Sequence, residues 1–223
     1  MNDPFLSMMD TGIGRLVWQA SRVAWRYPAS FPTFFQLARS QKRASLLRAS
    51  HRARGLSVPA FLIVSVTRRC NLKCVGCYSH ASASREKDAG RPGELDTANL
   101  SRIIREGADL GVSFMLIAGG EPLVRASEVI EMARSNPRVI FPVFTNGTLI
   151  DDAMIRSFAK CRNLIPVLSV EGGASSTDGR RVSGVYEQAL ARMRSLSRAG
   201  VFFGVSLTVM KGNVRELVSD SFV

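Results

Sequence analysis

The stretch that decides the fold is FLIVSVTRRCNLKCVGCY, residues 61–78, in which a continuous apolar run leads directly into three cysteines. The aliphatic and β-branched residues at 61–66 predict a buried β-strand. Cys70, Cys74 and Cys77 follow with the spacing C-x3-C-x2-C, so one loop carries three thiols. Thiolate ligands favour zinc or iron–sulfur clusters over magnesium or calcium. The sequence therefore predicts a soft metal centre at the end of the first strand.

Two kinds of metal centre fit this loop. A cubane cluster held by only three cysteines keeps one iron free of protein ligands, and that iron can bind a substrate or cofactor. A zinc ion is the other possibility, because His80 lies three residues after Cys77 and could complete a Cys3His site. The open cluster is the favoured interpretation. The fourth cysteine, Cys161, lies in an unrelated helical segment and is interpreted as a buried, apolar-like residue without a ligand role.

On the carboxyl side of the first run, apolar runs alternate with helical patterns. Strands are predicted at 61–66, 113–117, 139–144, 164–170 and 202–209, and helices at 96–110, 125–135, 151–161 and 184–199. Asp96 is predicted to cap the first of these helices, and Gly111 and Gly200 to end the first and last. Continuous apolar runs are typical of parallel strands covered by helices. We therefore expect an α/β fold over residues 59–223, a partial, open parallel β/α barrel.

Two features of this segment argue against a regular, complete barrel. Pro142 and Pro166 lie inside strand runs, where a missing N–H is awkward in a central strand. Only five strands are predicted, and the sequence ends at Val223 within what resembles the start of a fifth helix, 214–218. A closed barrel of eight strands is excluded, and we expect the core to be incomplete at its carboxyl end.

Residues 1–58 are predicted to form a separate basic helical extension. They contain nine Lys or Arg residues against Asp3 and Asp10, which gives +7 of the formal net charge of +12. Helical spacing of apolar residues spans about 13–24, and a more basic helical stretch follows at about 34–54. The extension either packs on the main domain with a solvated basic face or contacts an anionic membrane surface or acidic partner through residues 11–54. No nucleic-acid motif accompanies the charge, so no nucleic acid is expected.

The composition narrows the class of protein. A chain of 223 residues with 46% hydrophobic residues and four cysteines is neither disordered nor a small disulfide scaffold. Its apolar runs are well short of the roughly 20 residues that span a bilayer. The start, Met-Asn-Asp-Pro, lacks the basic region of a secretory signal. We expect a cytoplasmic location, with peripheral contact at the membrane as a further possibility.

Three more motifs follow successive predicted strands. Gly119-Gly120-Glu121-Pro122 comes after the second strand, Thr145-Asn146-Gly147 after the third, and Ser169-Val170-Glu171-Gly172 ends the fourth. Ligands bind at the carboxyl ends of parallel strands in such folds. Together with the cysteine loop, this set resembles the radical S-adenosylmethionine (radical SAM) superfamily over residues 61 to about 210, and the tetrapeptide GGEP matches a motif of that family.

The resemblance implies a cofactor pair and a reaction. Cys70, Cys74 and Cys77 would ligate a [4Fe–4S] cluster, and S-adenosylmethionine (SAM) would chelate the fourth iron. A one-electron reductant, flavodoxin- or ferredoxin-like, would reduce the cluster, and SAM would be cleaved to a 5′-deoxyadenosyl radical. That radical would take a hydrogen atom from an unidentified peptide, metabolite or lipid. The competing interpretation, from another class of protein, is a non-catalytic zinc- or cluster-binding adaptor module.

The resemblance also implies a set of SAM-binding residues. These are Tyr78, Gly119, Gly120, Glu121, Asn146, Ser169, Glu171 and Arg181, with Gly204–Leu207 lining the adenine. Glycine backbone and the Glu121 carboxylate would meet the methionyl ammonium, and the planar fork of Arg181 would pair with the methionyl carboxylate. The family's commoner motif has an aromatic residue just before the third cysteine. Here Gly76 takes that position, and the aromatic residue, Tyr78, follows the cysteine.

Overall fold

The computed structural model describes residues 31–79 and 93–220, with side chains from residue 35 onward. The helices are α1 (Phe31–Ala53), α2 (Thr97–Leu110), α3 (Ala126–Ser135), α4 (Asp152–Lys160), α5 (Ala174–Arg180), α6 (Val185–Arg198) and α7 (Val214–Leu217). The strands are β1 (Phe61–Thr67), β2 (Phe114–Gly119), β3 (Phe141–Thr145), β4 (Leu164–Val170) and β5 (Gly204–Leu207). A short 3-10 turn, Pro122–Arg125, precedes α3.

The five strands form one parallel sheet in the order β1-β2-β3-β4-β5. The strands lie in the sheet in the same order as in the chain. Each crossover connection therefore turns in the same sense, and the connecting helices lie on one face of the sheet. The sheet is therefore an open, partial β/α barrel, and the predicted fold class is confirmed. All of the strand carboxyl ends, with the loops that follow them, lie at one edge of the sheet.

The core lies between the sheet and its helices. Successive side chains of a strand point to opposite faces, and Met115, Ile117 and Val143 on one face are fully buried. They pack in one cluster with helix residues that include Leu100, Ile104 and Val129. On the opposite face of β1, the side chain of Ile63 is 63% exposed. The helix-covered face therefore supplies the apolar burial that stabilises the sheet.

The two strand prolines lie at weak points of the ladder. Pro142 follows Phe141, whose N–H bonds towards β4, so the missing N–H of Pro142 faces β2. There the β2–β3 pairing reduces to Ile117↔Val143 and an isolated bridge at Phe114↔Ile140. Pro166 lies one residue before the first β4 position paired with β5. Both prolines are therefore accommodated inside central strands where little pairing is lost.

The helix ends agree with the sequence signals. The Asp96 carboxylate accepts a hydrogen bond from the backbone N–H of Asn99, so Asp96 caps α2 as predicted. Gly111 and Gly200, with φ of 101° and 63°, follow α2 and α6. The structure differs from prediction in two elements. Strand β5 is limited to Gly204–Leu207, and residues 174–180, for which no helix is predicted, form α5.

Helix α1 contacts the rest of the protein through polar side chains. Its buried residues Gln41 and Arg48 donate to the carbonyls of Ser113 at 3.3 Å and Gly111 at 2.7 Å. Phe35 and Leu46 are each 65% exposed. The helical segment predicted around residues 13–24 lies outside the described residues. Among the helices that are described, none combines the length and apolarity needed to cross a bilayer.

Candidate functional site

The cysteine loop begins where β1 ends, and a carboxylate fixes its first residues. Glu94 accepts hydrogen bonds from the Thr67 hydroxyl at 2.8 Å and from the Arg68 backbone N–H at 2.6 Å. Cys70, Cys74 and Cys77 are half-buried free thiols. The first residues of the loop are therefore fixed, and the loop carries three reduced thiols. This arrangement is suited to a soft metal centre.

The GGEP loop after β2 packs directly against the cysteine loop. The backbone N–H groups of Gly120 and Glu121 donate to the carbonyls of Thr67 at 2.8 Å and Arg69 at 2.9 Å. A Cβ atom on Gly119 or Gly120 would lie 2.3 Å from one of those carbonyl oxygens. The two glycines are therefore required for contact between these loops, a reason that the sequence did not indicate.

Glu121 is a buried carboxylate that joins the ends of β2 and β3. It is 1% exposed and accepts hydrogen bonds from the backbone N–H groups of Leu123 and Asn146 and from the Thr145 hydroxyl. Burial raises the pKa of this carboxyl, although the three hydrogen bonds act in the opposite direction. Glu121 thus fixes the relative position of two loops at the site.

Asn146 links the end of β3 to the cysteine loop. Its side-chain amide donates to the side-chain Oδ1 of Asn71 at 2.9 Å, and the Nδ2 of Asn71 donates to the Thr148 hydroxyl at 2.7 Å. Thr148 in turn donates from both its N–H and its hydroxyl to Asn146. These three residues close a hydrogen-bonded ring. Sequence reasoning missed Asn71 and Thr148, although both stand beside residues of the motifs it used.

The end of β4 carries a buried charged group. Glu171 is fully buried and accepts from Arg181 through Nε at 2.7 Å and Nη2 at 2.9 Å, and from Arg180 through Nη1 at 2.6 Å. The carbonyl of Arg180 accepts from the backbone N–H of Val75 at 2.7 Å. The group formed by Glu171, Arg180 and Arg181, which we call the ion triad, therefore contacts the cysteine loop between Cys74 and Cys77.

The thiols experience two opposing effects. Burial raises the pKa of Cys70 and of Cys74. At Cys74 the positive charges of Arg181 and Arg180 act in the other direction and favour the thiolate. The negative charge of Glu171 opposes the two arginines, so the members of the ion triad act electrostatically on Cys74 in both directions.

The remaining predicted site residues lie at the same edge of the sheet. Tyr78 is 65% exposed, and its hydroxyl donates to the carbonyl of Gly119 at 3.0 Å. Ser169 is half-buried near the end of β4, in register with Ser206 of β5. His80 lies outside the described residues. Cys161 ends α4 at the opposite edge, where its thiol is buried and donates to the Asn163 side chain at 3.3 Å.

Comparison with known proteins assigns the family. The sequence profile of the Radical SAM superfamily matches residues 64–221. The chain belongs to the radical SAM superfamily. Members of this superfamily use a [4Fe–4S] cluster together with SAM, and both the CxxxCxxC spacing and the open β/α sheet agree with that membership.

Several curated radical SAM proteins are similar to this chain. It is 34% identical over 168 residues to the pre-heme d1 synthase of Dinoroseobacter shibae, covering 74% of this chain and 40% of the relative. It is 33% identical to the mycofactocin maturase MftC of Mycobacterium tuberculosis, covering 74% and 41%. The Fe-coproporphyrin III synthase of Methanosarcina barkeri is 32% identical, with 70% and 38% covered. The chain thus spans about two fifths of the length of these relatives.

Solved structures share the fold at lower identity. Streptococcus suis SuiB superimposes with a TM-score of 0.60 at 19% identity, over 79% of this chain and 40% of that one. The protein anSMEcpe, crystallised with AdoMet and the Cp18Cys peptide, gives 0.57 at 17% identity, with 73% and 48% covered. Both likenesses agree with the parallel sheet and its helices.

The side chains present fit the cofactors of the radical SAM superfamily. Three half-buried thiols on one loop are the donor set of an iron–sulfur cluster. Within residues 31–79 and 93–220, no three His, Cys, Asp or Glu side chains are arranged around a single metal ion. A cubane cluster does not need such convergence, because each thiolate binds a different iron.

The contacts that the segment after β5 makes at this radical SAM site had no signal in the sequence. Glu216 of α7 accepts from the Gly173 backbone N–H at 2.6 Å and from the Ser176 hydroxyl. Asn213 donates from its amide to the carbonyl of Glu171 at 2.7 Å. The segment after β5 therefore holds the loop that carries Glu171. Because these partners lie about 40 residues apart, periodicity and local motifs do not reveal them.

Proposed function

We propose that this chain holds a [4Fe–4S] cluster through Cys70, Cys74 and Cys77 and binds SAM at the carboxyl edge of the sheet. The observation that carries the proposal is the backbone contact between the cysteine loop and the GGEP loop, through Gly120 and Glu121. Two motifs separated by more than 40 residues meet at the place where ligands bind in such folds.

The cofactors supply the radical chemistry, and the protein supplies position. When bound, the cluster and SAM together provide the reductive cleavage that yields a 5′-deoxyadenosyl radical for hydrogen abstraction. Glu121, Asn146 and Glu171 have buried side chains, so we assign them the task of holding the loops. The exposed ring of Tyr78, the backbone of Gly119 and Gly120, and the half-buried Ser169 are left to contact SAM.

Arg181 is assigned both tasks, holding a loop and contacting SAM. It uses Nε and Nη2 to bind Glu171, and Nη1 has no hydrogen-bond partner among the described residues. We assign that nitrogen to the methionyl carboxylate, because a guanidinium with one edge held by protein presents its remaining donors in a fixed direction.

The substrate and the reductant are further parts of the proposal. The relatives include enzymes named for heme-type products and a maturase, so peptides, small metabolites and lipids all stay within the proposed range. The sheet face opposite the helices exposes Ile63 in β1, in register with Leu116 of β2. A substrate with an apolar body would bury this side chain and be positioned near the radical. The electron would come from a flavodoxin- or ferredoxin-like donor.

Contact with a membrane surface belongs to the same proposal, with a cytoplasmic location. Phe35, Arg39, Lys42 and Leu46 follow one another at helical spacing and are exposed on α1. Apolar side chains set among basic ones are the composition of a helix that lies on anionic lipid. Co-sedimentation with anionic vesicles that weakens as salt increases is the expected result. Salt-independent behaviour would favour simple packing of the extension on the domain.

Cluster content tests the main proposal. After anaerobic reconstitution we expect about four irons with sulfide per chain and a broad absorbance near about 400 nm that bleaches on reduction. Under reduction, SAM should then yield 5′-deoxyadenosine and methionine. Cys74→Ala should abolish cluster retention, and Cys161→Ala is the matched control that should keep it. A colourless protein with one zinc after anaerobic reconstitution would favour the adaptor instead, and equal iron loss in both variants would contradict the ligand assignment.

A further inference from the structure

The ion triad carries a net positive charge beside the cysteine loop. Two guanidiniums share the single carboxylate of Glu171, so one positive charge is left over. The side chains are 0%, 17% and 8% exposed for Glu171, Arg180 and Arg181. A charge removed from water in this way acts on its neighbours more strongly than a solvated one. Cys74 and Cys77, which would hold the proposed cluster, lie on either side of the loop residue Val75 that Arg180 contacts through its carbonyl.

Arg180 connects this charge to the cysteine loop through its own main chain. Helix α5 ends at Arg180, and carbonyls in the last turn of a helix lack intrahelical partners. The Arg180 carbonyl instead accepts the backbone N–H of Val75 at 2.7 Å, the residue that directly follows Cys74. The guanidinium of the same residue is held by Glu171 at 2.6 Å. One residue therefore fixes the cysteine loop with its main chain and supplies a cation with its side chain.

The direction of the electrostatic effect follows from charge. A cluster gains one negative charge when it accepts an electron, so a nearby cation stabilises the reduced form more than the oxidised form. Charge and hydrogen bonding around the thiolates are among the determinants of cluster potential. The Arg180 carbonyl binds the N–H of Val75, the residue next to Cys74, so Arg180 lies beside the loop that would hold the cluster.

We propose that Arg180 is a positioning residue that holds the cysteine loop at Val75 and raises the reduction potential of the cluster. The inference rests on the proposed function, because it requires that Cys74 bind the cluster. It adds a determinant of electron acceptance that lies outside the cysteine, GGEP and SAM-binding motifs. The reductant would supply one electron, and the positive side chain of Arg180 would lower the free energy of the negative charge that reduction adds to the cluster.

Three variants test the proposal, and all retain the main-chain carbonyl at position 180. Arg180→Gln removes the charge but keeps a side chain able to donate to Glu171. Arg180→Lys keeps the charge. Arg198→Gln, at the exposed end of α6, removes a positive charge away from the site and serves as the control. Thermal unfolding of each variant before reconstitution establishes that it folds.

The readouts are the reduction potential, from a titration followed by electron paramagnetic resonance, and the rate of iron release to a chelator. We expect Arg180→Gln to shift the potential to a more negative value and to release iron faster than wild type. Arg180→Lys should restore the potential, and Arg198→Gln should leave both quantities unchanged. A folded Arg180→Gln protein that keeps about four irons at the wild-type potential would overturn this inference and leave the cluster assignment intact. Absence of a cluster in the wild type would instead contradict the proposed function.

Discussion

Charge is handled differently at the two ends of the sheet. At the carboxyl end, largely buried arginine side chains have carboxylate partners, as in Arg180 and Arg181 with Glu171 and in Arg125 with Glu128. At the amino end, a cleft of about 450 Å³ is lined by Arg43, Arg105 and Arg138. Within the residues that the structure describes, none of these three forms an ion pair.

The difference in arginine pairing shows at which end of the sheet the loops are held in fixed positions. A buried guanidinium without a partner costs several kcal/mol, so the carboxyl end pairs its arginines and thereby fixes its loops. The arginines of the amino-end cleft are exposed and stay hydrated. Pairing with carboxylates is therefore a feature of the carboxyl end, whereas the buried Arg48 near the amino end of β2 donates to the Gly111 carbonyl and the Ser113 hydroxyl.

The largest effect on folding is expected at the ion triad. Glu171→Gln leaves two largely buried guanidiniums with a neutral amide, and loss of one member of a buried ion pair typically costs about 3–5 kcal/mol. Urea unfolding should show this loss in the free energy of unfolding. The control is Glu106→Gln, because the Arg102–Glu106 pair is 57% and 59% exposed and exposed pairs contribute about 1 kcal/mol or less. Equal losses in the two variants would contradict the contrast between buried and exposed pairs.

The backbone contact at the carboxyl end gives the next largest effect. A methyl group in Gly120→Ala would lie 2.3 Å from the carbonyl oxygen of Arg69, and a backbone atom cannot move aside as a side chain can. We expect a loss of about 2–4 kcal/mol in the free energy of unfolding. Gly212→Ala is the matched control, since nothing lies within 4 Å of its added methyl group. A Gly120→Ala protein as stable as Gly212→Ala would show that the two loops are not in contact.

The sheet and the grouping of motifs could be predicted from the sequence. Continuous apolar runs followed by Asp96 or Gly111 locate strands and helix ends, because burial and capping act over a few residues. The carboxyl ends of parallel strands share one edge, so the cysteine, GGEP and Glu171 motifs were expected together. The structure places all of them there.

The partners of the site residues could not be predicted. The side-chain fork of Arg181 binds Glu171, ten positions earlier, and Gly120 contacts Arg69, about fifty positions earlier. These contacts depend on the curvature of the sheet and the path of each loop, which no local pattern encodes. Helix α5 was missed for a related reason, because its Gly and Ser content is typical of a loop and its ends are held by Glu216 and Val75.

A pH-dependent effect on stability is expected at the Arg125–Glu128 pair. The hydrogen bond from Arg125 lowers the pKa of Glu128, which also accepts from Thr97. A depressed folded-state pKa means that the stabilisation is present above the unfolded value of about 4.3 and is lost as pH falls through the folded pKa. We expect Glu128→Gln to cost about 1–2 kcal/mol at pH 7.

Unfolding at a series of pH values checks this sign. The difference between wild type and Glu128→Gln should be constant above about pH 6 and should shrink as pH falls below about 4, where the unfolded carboxyl is protonated first and the folded one only at lower pH. Glu131→Gln, on the exposed face of the same helix, is the control and should show no such trend. A difference that grows as pH falls would contradict the assigned direction of the shift.

The smallest effect is expected at the amino-end cleft, where it completes the comparison. Arg43 has no ion-pair partner in the described part of the chain, and its neighbours in the cleft include Arg105, Arg138 and Asp109. Arg43→Gln breaks no ion pair, so the free energy of unfolding should change by less than about 0.5 kcal/mol. Arg48→Gln on the same helix should cost more, because that buried guanidinium donates to the Gly111 carbonyl at 2.7 Å. If Arg43→Gln destabilised the protein as much as Arg48→Gln, the cleft arginines would have to be structural, and pairing would no longer distinguish the two ends of the sheet.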